Sequence, residues 1–253
     1  MGKCKDIIKR AAGSVLDFIF PRHCVACGAV NPRGEYEYVC PKCALTLRLL
    51  NGARCEICSE PVGLPDSPNV RGCPNCADRN FQFDKSLCLC SFDGAAREMV
   101  HELKYRTGAH VIHDMAKIAR KFPELGEFIK GAVLVPVPLH NARAIRRNYN
   151  QSELISIMLA QTFPESGARV KTILKRTRAT PTQTTLDRDA RAANIKNAFA
   201  APKSKTLASI PRNANIVVVD DVMTSGATLS ECARVLKKAG FKNVSAFTFT
   251  KRI

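Results

Sequence analysis

After residue 81 the chain alternates between short apolar runs and amphipathic stretches. Ala132–Val137 and Asn215–Val219 are continuous and rich in β-branched residues, which predicts strands buried on both faces. Lys85–Phe92 and Val244–Thr250 read as two further strands. Between them, Ala95–Tyr105, His110–Phe122, Gln151–Phe163 and Ser230–Ala239 carry helical patterns. The third sets Leu154, Ile155, Met158 and Leu159 on one face, and Gly240 stands where the fourth should stop. Strands alternating with helices predict an α/β fold with a mostly parallel sheet and helices on both faces. Residues 23–80 show no such alternation. Pro, Gly and Asn cluster at 28–34 and 61–72, and apolar residues are too few for an independent core. In residues 1–22, Ile7, Ile8, Val15 and Leu16 are interrupted by Lys9, Arg10 and Asp17. That periodicity predicts an amphipathic helix and not a secretory leader. The expected organisation is a helix at 1–22, a loop-rich module at 23–80 and an α/β domain at 81–253.

Charge narrows the partners. The 253 residues hold 39 Lys and Arg against 22 Asp and Glu, a formal charge of +17. Such an excess favours nucleic acid, phosphorylated metabolites or a membrane surface. No apolar run is long enough to predict a membrane span.

Cysteine explains the loop-rich module. Eight of the 12 cysteines form C-x-x-C pairs: Cys24/Cys27, Cys40/Cys43, Cys55/Cys58 and Cys73/Cys76. Each such turn offers two thiolates to one metal, and two turns complete a tetrahedral four-sulfur site. Thiolate softness selects zinc or an iron–sulfur cluster, and eight ligands suit two zinc ions. Sequential and cross-braced pairings both fit the spacing. Metal-bound thiols with no export signal predict a reducing, cytoplasmic compartment. Cys88 and Cys90 lie two apart on a predicted strand and read as core residues, and His23 reads as a surface histidine.

The sharpest chemistry lies in Ile216-Val-Val-Val-Asp-Asp-Val-Met-Thr-Ser-Gly-Ala-Thr-Leu229. A buried strand is expected to end at Asp220 and Asp221. The small residues Thr224, Ser225, Gly226, Ala227 and Thr228 then open a helix. Strand carboxyl ends are where open α/β sheets bind ligands, and helix N-termini bind phosphate. Paired carboxylates take sugar hydroxyls directly or through Mg²⁺. The segment resembles the phosphoribosyl pyrophosphate (PRPP) loop of type I phosphoribosyltransferases. That resemblance implies that the two acids hold the ribose hydroxyls and the loop holds the 5′-phosphate. Purine-salvage members have a catalytic carboxylate where this chain has Thr224.

Strand 132–137 runs into Pro136-Val-Pro-Leu-His140, followed by Arg143, Arg146 and Arg147. In that fold the equivalent loop grips pyrophosphate, and these arginines with Lys104 are the candidates for leaving-group charge. Residues 175–199 are polar and basic and read as a mobile loop, and the resemblance implies that it closes over PRPP. Taken in order, Leu103-Lys-Tyr105, Val135-Pro-Val-Pro-Leu-His140, Tyr149-Asn-Gln151, Asn197-Ala-Phe199 and the PRPP loop, behind the C-x-x-C pairs, narrow the resemblance. The chain resembles the ComF family, bacterial phosphoribosyltransferase-like proteins linked to DNA uptake in competence. Asn148-Tyr149 stands where Gly-Phe is usual before Asn-Gln, and Asn141 where Pro is common.

The resemblance implies a zinc module before a type I phosphoribosyltransferase domain that binds PRPP with Mg²⁺ and transfers ribosyl phosphate with release of pyrophosphate. A second reading is a catalytically weak or inactive PRPP-fold protein that binds single-stranded DNA. Residues 138–196 carry 11 Lys and Arg against 4 Asp and Glu, which suits a phosphate backbone. The zinc module could also dock other competence proteins alongside either activity.

Overall fold

The structure is a computed structural model that describes residues 22–30, 34–63, 68–77, 79–105, 108–139, 149–178 and 195–253. The predicted helix at 1–22 therefore lies outside the described residues, apart from Arg22.

The α/β part runs through strand β1 (Ser86–Ser91), helix α1 (Gly94–Tyr105), α2 (Ile112–Ala119), β2 (Val133–Pro136), α3 (Gln151–Thr162) and β3 (Arg169–Val170). A small antiparallel pair comes next, β4 (Lys175–Arg176) with β5 (Phe199–Ala200). The chain ends with β6 (Asn215–Met223), α4 (Ala227–Lys238) and β7 (Asn243–Lys251). Five strands pair in the order β3-β2-β6-β7-β1, and every pairing is parallel. Helices α1, α2 and α3 cover one face with Val100, Met115 and Ile155, while α4 covers the other with Leu229 and Leu236. The predicted fold class is the observed one.

The apolar run Ile216–Val219 reflects its place. β6 lies between β2 and β7, and all four side chains are fully buried. Each contributes about 1.5–3 kcal/mol on burial. Ile216 and Val218 pack into the α4-side core, Val217 and Val219 into the opposite one. The strand is longer than its apolar run. It continues through Asp220 and Asp221 to Met223, because β7 keeps pairing there (Asp220 opposite Thr248, Val222 opposite Thr250). β2, in contrast, leaves β6 after Pro136 opposite Val219. The expectation that the strand ends at the acids is corrected in this way: the diacid sits where one neighbour has departed and the other remains.

The topology marks the same place. From β2 the chain winds through α3 to β3 in one direction. From β6 it winds through α4 to β7 in the other. β2 and β6 are adjacent, so their carboxyl ends form the switch point at which open α/β sheets bind ligands.

The cysteine-rich part shields the far edge of the sheet. Leu50 N–H donates to Leu89 O at 2.8 Å and Ser91 N–H to Arg48 O at 2.9 Å. Ser86 N–H donates to Glu56 O at 2.9 Å. Residues 48–56 thereby occupy the hydrogen-bonding edge of β1 that would otherwise be open to another chain. Among the described residues no helix is long and apolar enough to cross a membrane.

Candidate functional site: a diacid and phosphate loop beside two four-cysteine sites

The two carboxylates at the switch point meet partners from two helices. Ser152 Oγ, in the first turn of α3, donates to Asp220 Oδ1 at 2.9 Å, and Asp221 N–H donates to the same oxygen at 3.0 Å. Lys104 Nζ, in the last turn of α1, lies 2.5 Å from Asp221 Oδ2 as an ion pair. Loss of water and the adjacent Asp221 charge push the Asp220 carboxyl up to about 7, although Lys104 and Ser152 oppose the rise. The two adjacent acids thus resist double ionisation, and one of them carries its own cation.

α3 is held in place by its cap. Asn150 accepts from Ser152 N–H at 3.1 Å and its Nδ2 donates to Val137 O at 3.0 Å. One residue therefore caps the helix and ties it to the end of β2. Gln151 beside it is buried, and among the described residues its Oε1 has no hydrogen-bond partner.

The phosphate loop comes directly after β6. Thr224 and Ser225 are half-buried and Gly226 is buried with φ +76 at the N-cap of α4. No side chain caps this helix at Gly226, and Ser225 Oγ approaches Ala227 N–H only at 3.4 Å. The first-turn N–H groups of Ala227, Thr228 and Leu229 have no partners one turn back within α4, which is the arrangement that receives a phosphate. Phe81 closes the loop from outside: a methyl group on Gly226 would lie 2.7 Å from Phe81 Cε1. Glycine is needed here for both backbone sign and space.

Lys104, expected on the pyrophosphate side, is paired with Asp221. Arg143, Arg146 and Arg147 lie outside the described residues, as does most of the predicted closing loop at 175–199. The end of that loop is anchored: Asn197 N–H donates to Glu231 Oε1 at 2.7 Å, and Arg234 Nη2 donates to Asn197 Oδ1 at 3.1 Å. Ser152, Asn150 and Phe81 were missed as site residues. The only signal for the first two is their place beside Gln151 at a helix start, and Phe81 carries none.

The cysteines separate into two sets, Cys24, Cys27, Cys40, Cys43 and Cys55, Cys58, Cys73, Cys76, each with its Sγ atoms within 4.8 Å of one another. This is the sequential pairing. Measured edges are 3.8 Å for Cys27–Cys40, 3.6 Å for Cys55–Cys76 and 3.5 Å for Cys58–Cys73. A zinc tetrahedron with Zn–S of about 2.3 Å has edges of about 3.8 Å, so both donor sets fit zinc. Burial pushes the Cys24 thiol up, but N–H donors from Cys40, Ala26 and Cys27 outweigh it and bring it to about 7. Such donors stabilise the thiolate that a metal requires. Cys88 and Cys90 are fully buried, and His23 is exposed and outside both sets.

Comparison with known proteins agrees with both halves. A model of the phosphoribosyl transferase domain matches residues 116–253. The chain belongs to the phosphoribosyl transferase domain family. A double zinc ribbon domain matches residues 15–77. Among curated relatives, Competence protein F of Haemophilus influenzae is 24% identical, over 84% of this chain and 96% of the relative. DNA utilization protein YhgH of Salmonella typhi is 27% identical, over 85% and 91%. Competence protein ComFC of Bacillus subtilis is 26% identical, over 85% of each. The ComF resemblance therefore extends over most of this phosphoribosyl transferase family member.

Proposed function

We propose that this chain binds PRPP with Mg²⁺ at the switch point and transfers its ribosyl phosphate to an acceptor, releasing pyrophosphate, as a cytoplasmic protein of DNA uptake or utilisation. The supporting observation is the Asp220–Asp221 pair at the end of the β2/β6 pairing, with an uncapped helix start at Gly226 directly after it. In this reading Asp220 and Asp221 accept the ribose hydroxyls, and the N–H groups and hydroxyls of 224–228 hold the 5′-phosphate. Lys104, Arg143, Arg146 and Arg147 are the candidates for offsetting the charge that develops on the leaving diphosphate. The reaction breaks the bond from ribose C1 to the pyrophosphate oxygen, which leaves with the electron pair. It forms a bond from C1 to the acceptor, which gives up a proton. Two carboxylates are hard oxygen donors that suit Mg²⁺, whose charge would offset that of the diphosphate. Residues 23–80 would serve as the zinc module and 81–253 as the transferase domain. Pyrophosphate release on incubating protein, Mg²⁺ and PRPP with nucleobases or with single-stranded DNA tests the transfer, and no release with either would refute it.

A second observation favours single-stranded DNA as a partner. Arg169, Lys171, Lys175 and Arg178 are exposed around the edge strand β3 and the β4–β5 pair. The named activities of the relatives, DNA utilization and competence, fit such a surface.

A further inference from the structure

The two four-cysteine sites are attached to the α/β domain differently. The first is gripped by the main core. Tyr36 and Val39 are buried in it, and Asp114 of α2 accepts from Glu37 N–H and Tyr38 N–H, both at 2.7 Å. The second has a core made of the four cysteines themselves; among the described residues Ile57, Val62 and Phe81 pack around them, and Ile57 and Phe81 join them to the α4-side core. A module built this way owes its folding to the metal.

Phe81 belongs to that cluster and also reaches the phosphate loop. Its ring stacks on buried Phe83 at 4.8 Å between centroids, and its edge lies where a Gly226 Cβ would be. Its neighbours reach the same loop. Gln82 N–H donates to Ser230 Oγ in α4 at 3.0 Å, and Arg79 Nη1 approaches Ser225 O at 3.5 Å. Arg79 N–H in turn donates to Cys76 O at 3.0 Å, so the path from the last cysteine ligand to the loop is a few residues long.

We propose that metal in the second site, held by Cys55, Cys58, Cys73 and Cys76, sets the shape of the phosphate loop through Arg79, Phe81 and Gln82. Loss of that metal then lowers affinity for a 5′-phosphorylated ligand, whereas loss from the first site does not. The inference rests on the phosphate reading of residues 224–228 but deepens it, because it makes ligand binding depend on thiol and metal status. Phe81 is a positioning residue in this arrangement. It shapes Gly226 without touching the ligand.

The test uses the full chain. Zinc content, PRPP affinity by calorimetry and amide hydrogen exchange at 224–230 are measured for the parent protein and for Phe81→Leu, Ser230→Ala, Cys73→Ser and Cys27→Ser. Phe81→Leu is expected to keep both zinc ions yet bind PRPP about tenfold more weakly, with faster exchange in the loop. Ser230→Ala should shift both readouts in the same direction by less. Cys73→Ser should lose one zinc and weaken PRPP at least as much as Phe81→Leu. Cys27→Ser should lose one zinc with PRPP affinity within about twofold of the parent. Should Cys73→Ser fail to fold, chelation of the remaining zinc from Cys27→Ser, read by PRPP affinity and by exchange at 224–230, tests the metal dependence, and Phe81→Leu and Ser230→Ala test the contacts. Parent-like affinity and loop exchange in Phe81→Leu and Cys73→Ser would overturn the coupling. If the parent protein does not bind PRPP, the ligand reading has failed, and the exchange measurement alone decides the coupling.

Discussion

Lys104 Nζ lies 2.5 Å from Asp221 Oδ2, with the carboxylate buried and the ammonium only partly exposed. The diacid is therefore half neutralised before any ligand arrives, by a cation delivered from the end of α1. Removing one partner of a buried pair strands the other charge. Lys104→Met should lower stability by about 2 kcal/mol, less than a fully buried pair because the lysine reaches solvent. The same change frees Asp221 for a divalent ion. Mg²⁺ should then raise the melting temperature of Lys104→Met more than that of the parent. Equal Mg²⁺ shifts in the two proteins would show that the lysine does not compete at this site.

Protonation of Asp220 supplies a second prediction. Burial and the Asp221 charge push its carboxyl up to about 7. A ligand that needs an ionised acceptor there binds less well as pH falls below that value, by up to about tenfold per unit. PRPP affinity should drop accordingly from pH 7 to 6, and Asp220→Asn should flatten this component. Without ligand the sign reverses. Between about pH 4 and 7 the folded protein keeps a proton that the unfolded chain, with a carboxyl near 3.9, has released. This group therefore costs stability as pH rises, and Asp220→Asn should raise the melting temperature more at pH 8 than at pH 5. An unchanged difference at the two pH values would count against a raised Asp220 carboxyl.

Metal analysis should find two zinc ions per chain, one per four-thiolate set. Cys40→Ser and Cys73→Ser should each lose one, because the sets share no ligand. A metal-free protein with eight titratable thiols would contradict both sites, and a parent protein with one zinc would contradict one of them.

Single-stranded DNA should bind with a strong salt dependence, the logarithm of affinity falling by about 0.7 per phosphate contact for each decade of salt. Tyr149 is the only Tyr, Phe or Trp from 138 to 162, so little base stacking and little sequence preference are expected. Replacing Arg146 and Arg147 with Ala should weaken binding uniformly and flatten the slope. Competition between PRPP and DNA would place both at one surface. Absence of binding at low salt would remove DNA as a partner.

Much of this arrangement can be read from local pattern. Ile216–Val219 is apolar because β6 is covered on both faces, and four C-x-x-C turns have few uses besides metal. The loop 224–228 announces itself by small residues after two acids. Other parts depend on contacts distant in sequence. Adjacent aspartates look like a strand end, yet pairing with Thr248 and Thr250 carries β6 through them. Lys104 gives no local hint that it reaches Asp221, since the fold alone brings the end of α1 to the end of β6. Phe81 looks like any linker aromatic until Gly226 is seen against the edge of its ring. Strand β3 has two residues, too few for periodicity to register.

The central claim is that Asp220, Asp221 and the loop at 224–228 form a PRPP site. Calorimetric titration of PRPP, with and without Mg²⁺, into the parent protein and the Asp220→Ala/Asp221→Ala double variant tests it most directly. Both acids lie at the edge of the core, so the double variant should still unfold cooperatively. Mg²⁺-dependent binding to the parent is expected, with a loss of at least about a hundredfold in the folded double variant, one tenfold step for each lost charged contact of about 1.5 kcal/mol. Unchanged PRPP affinity in that variant, or no binding to the zinc-loaded parent, would contradict it.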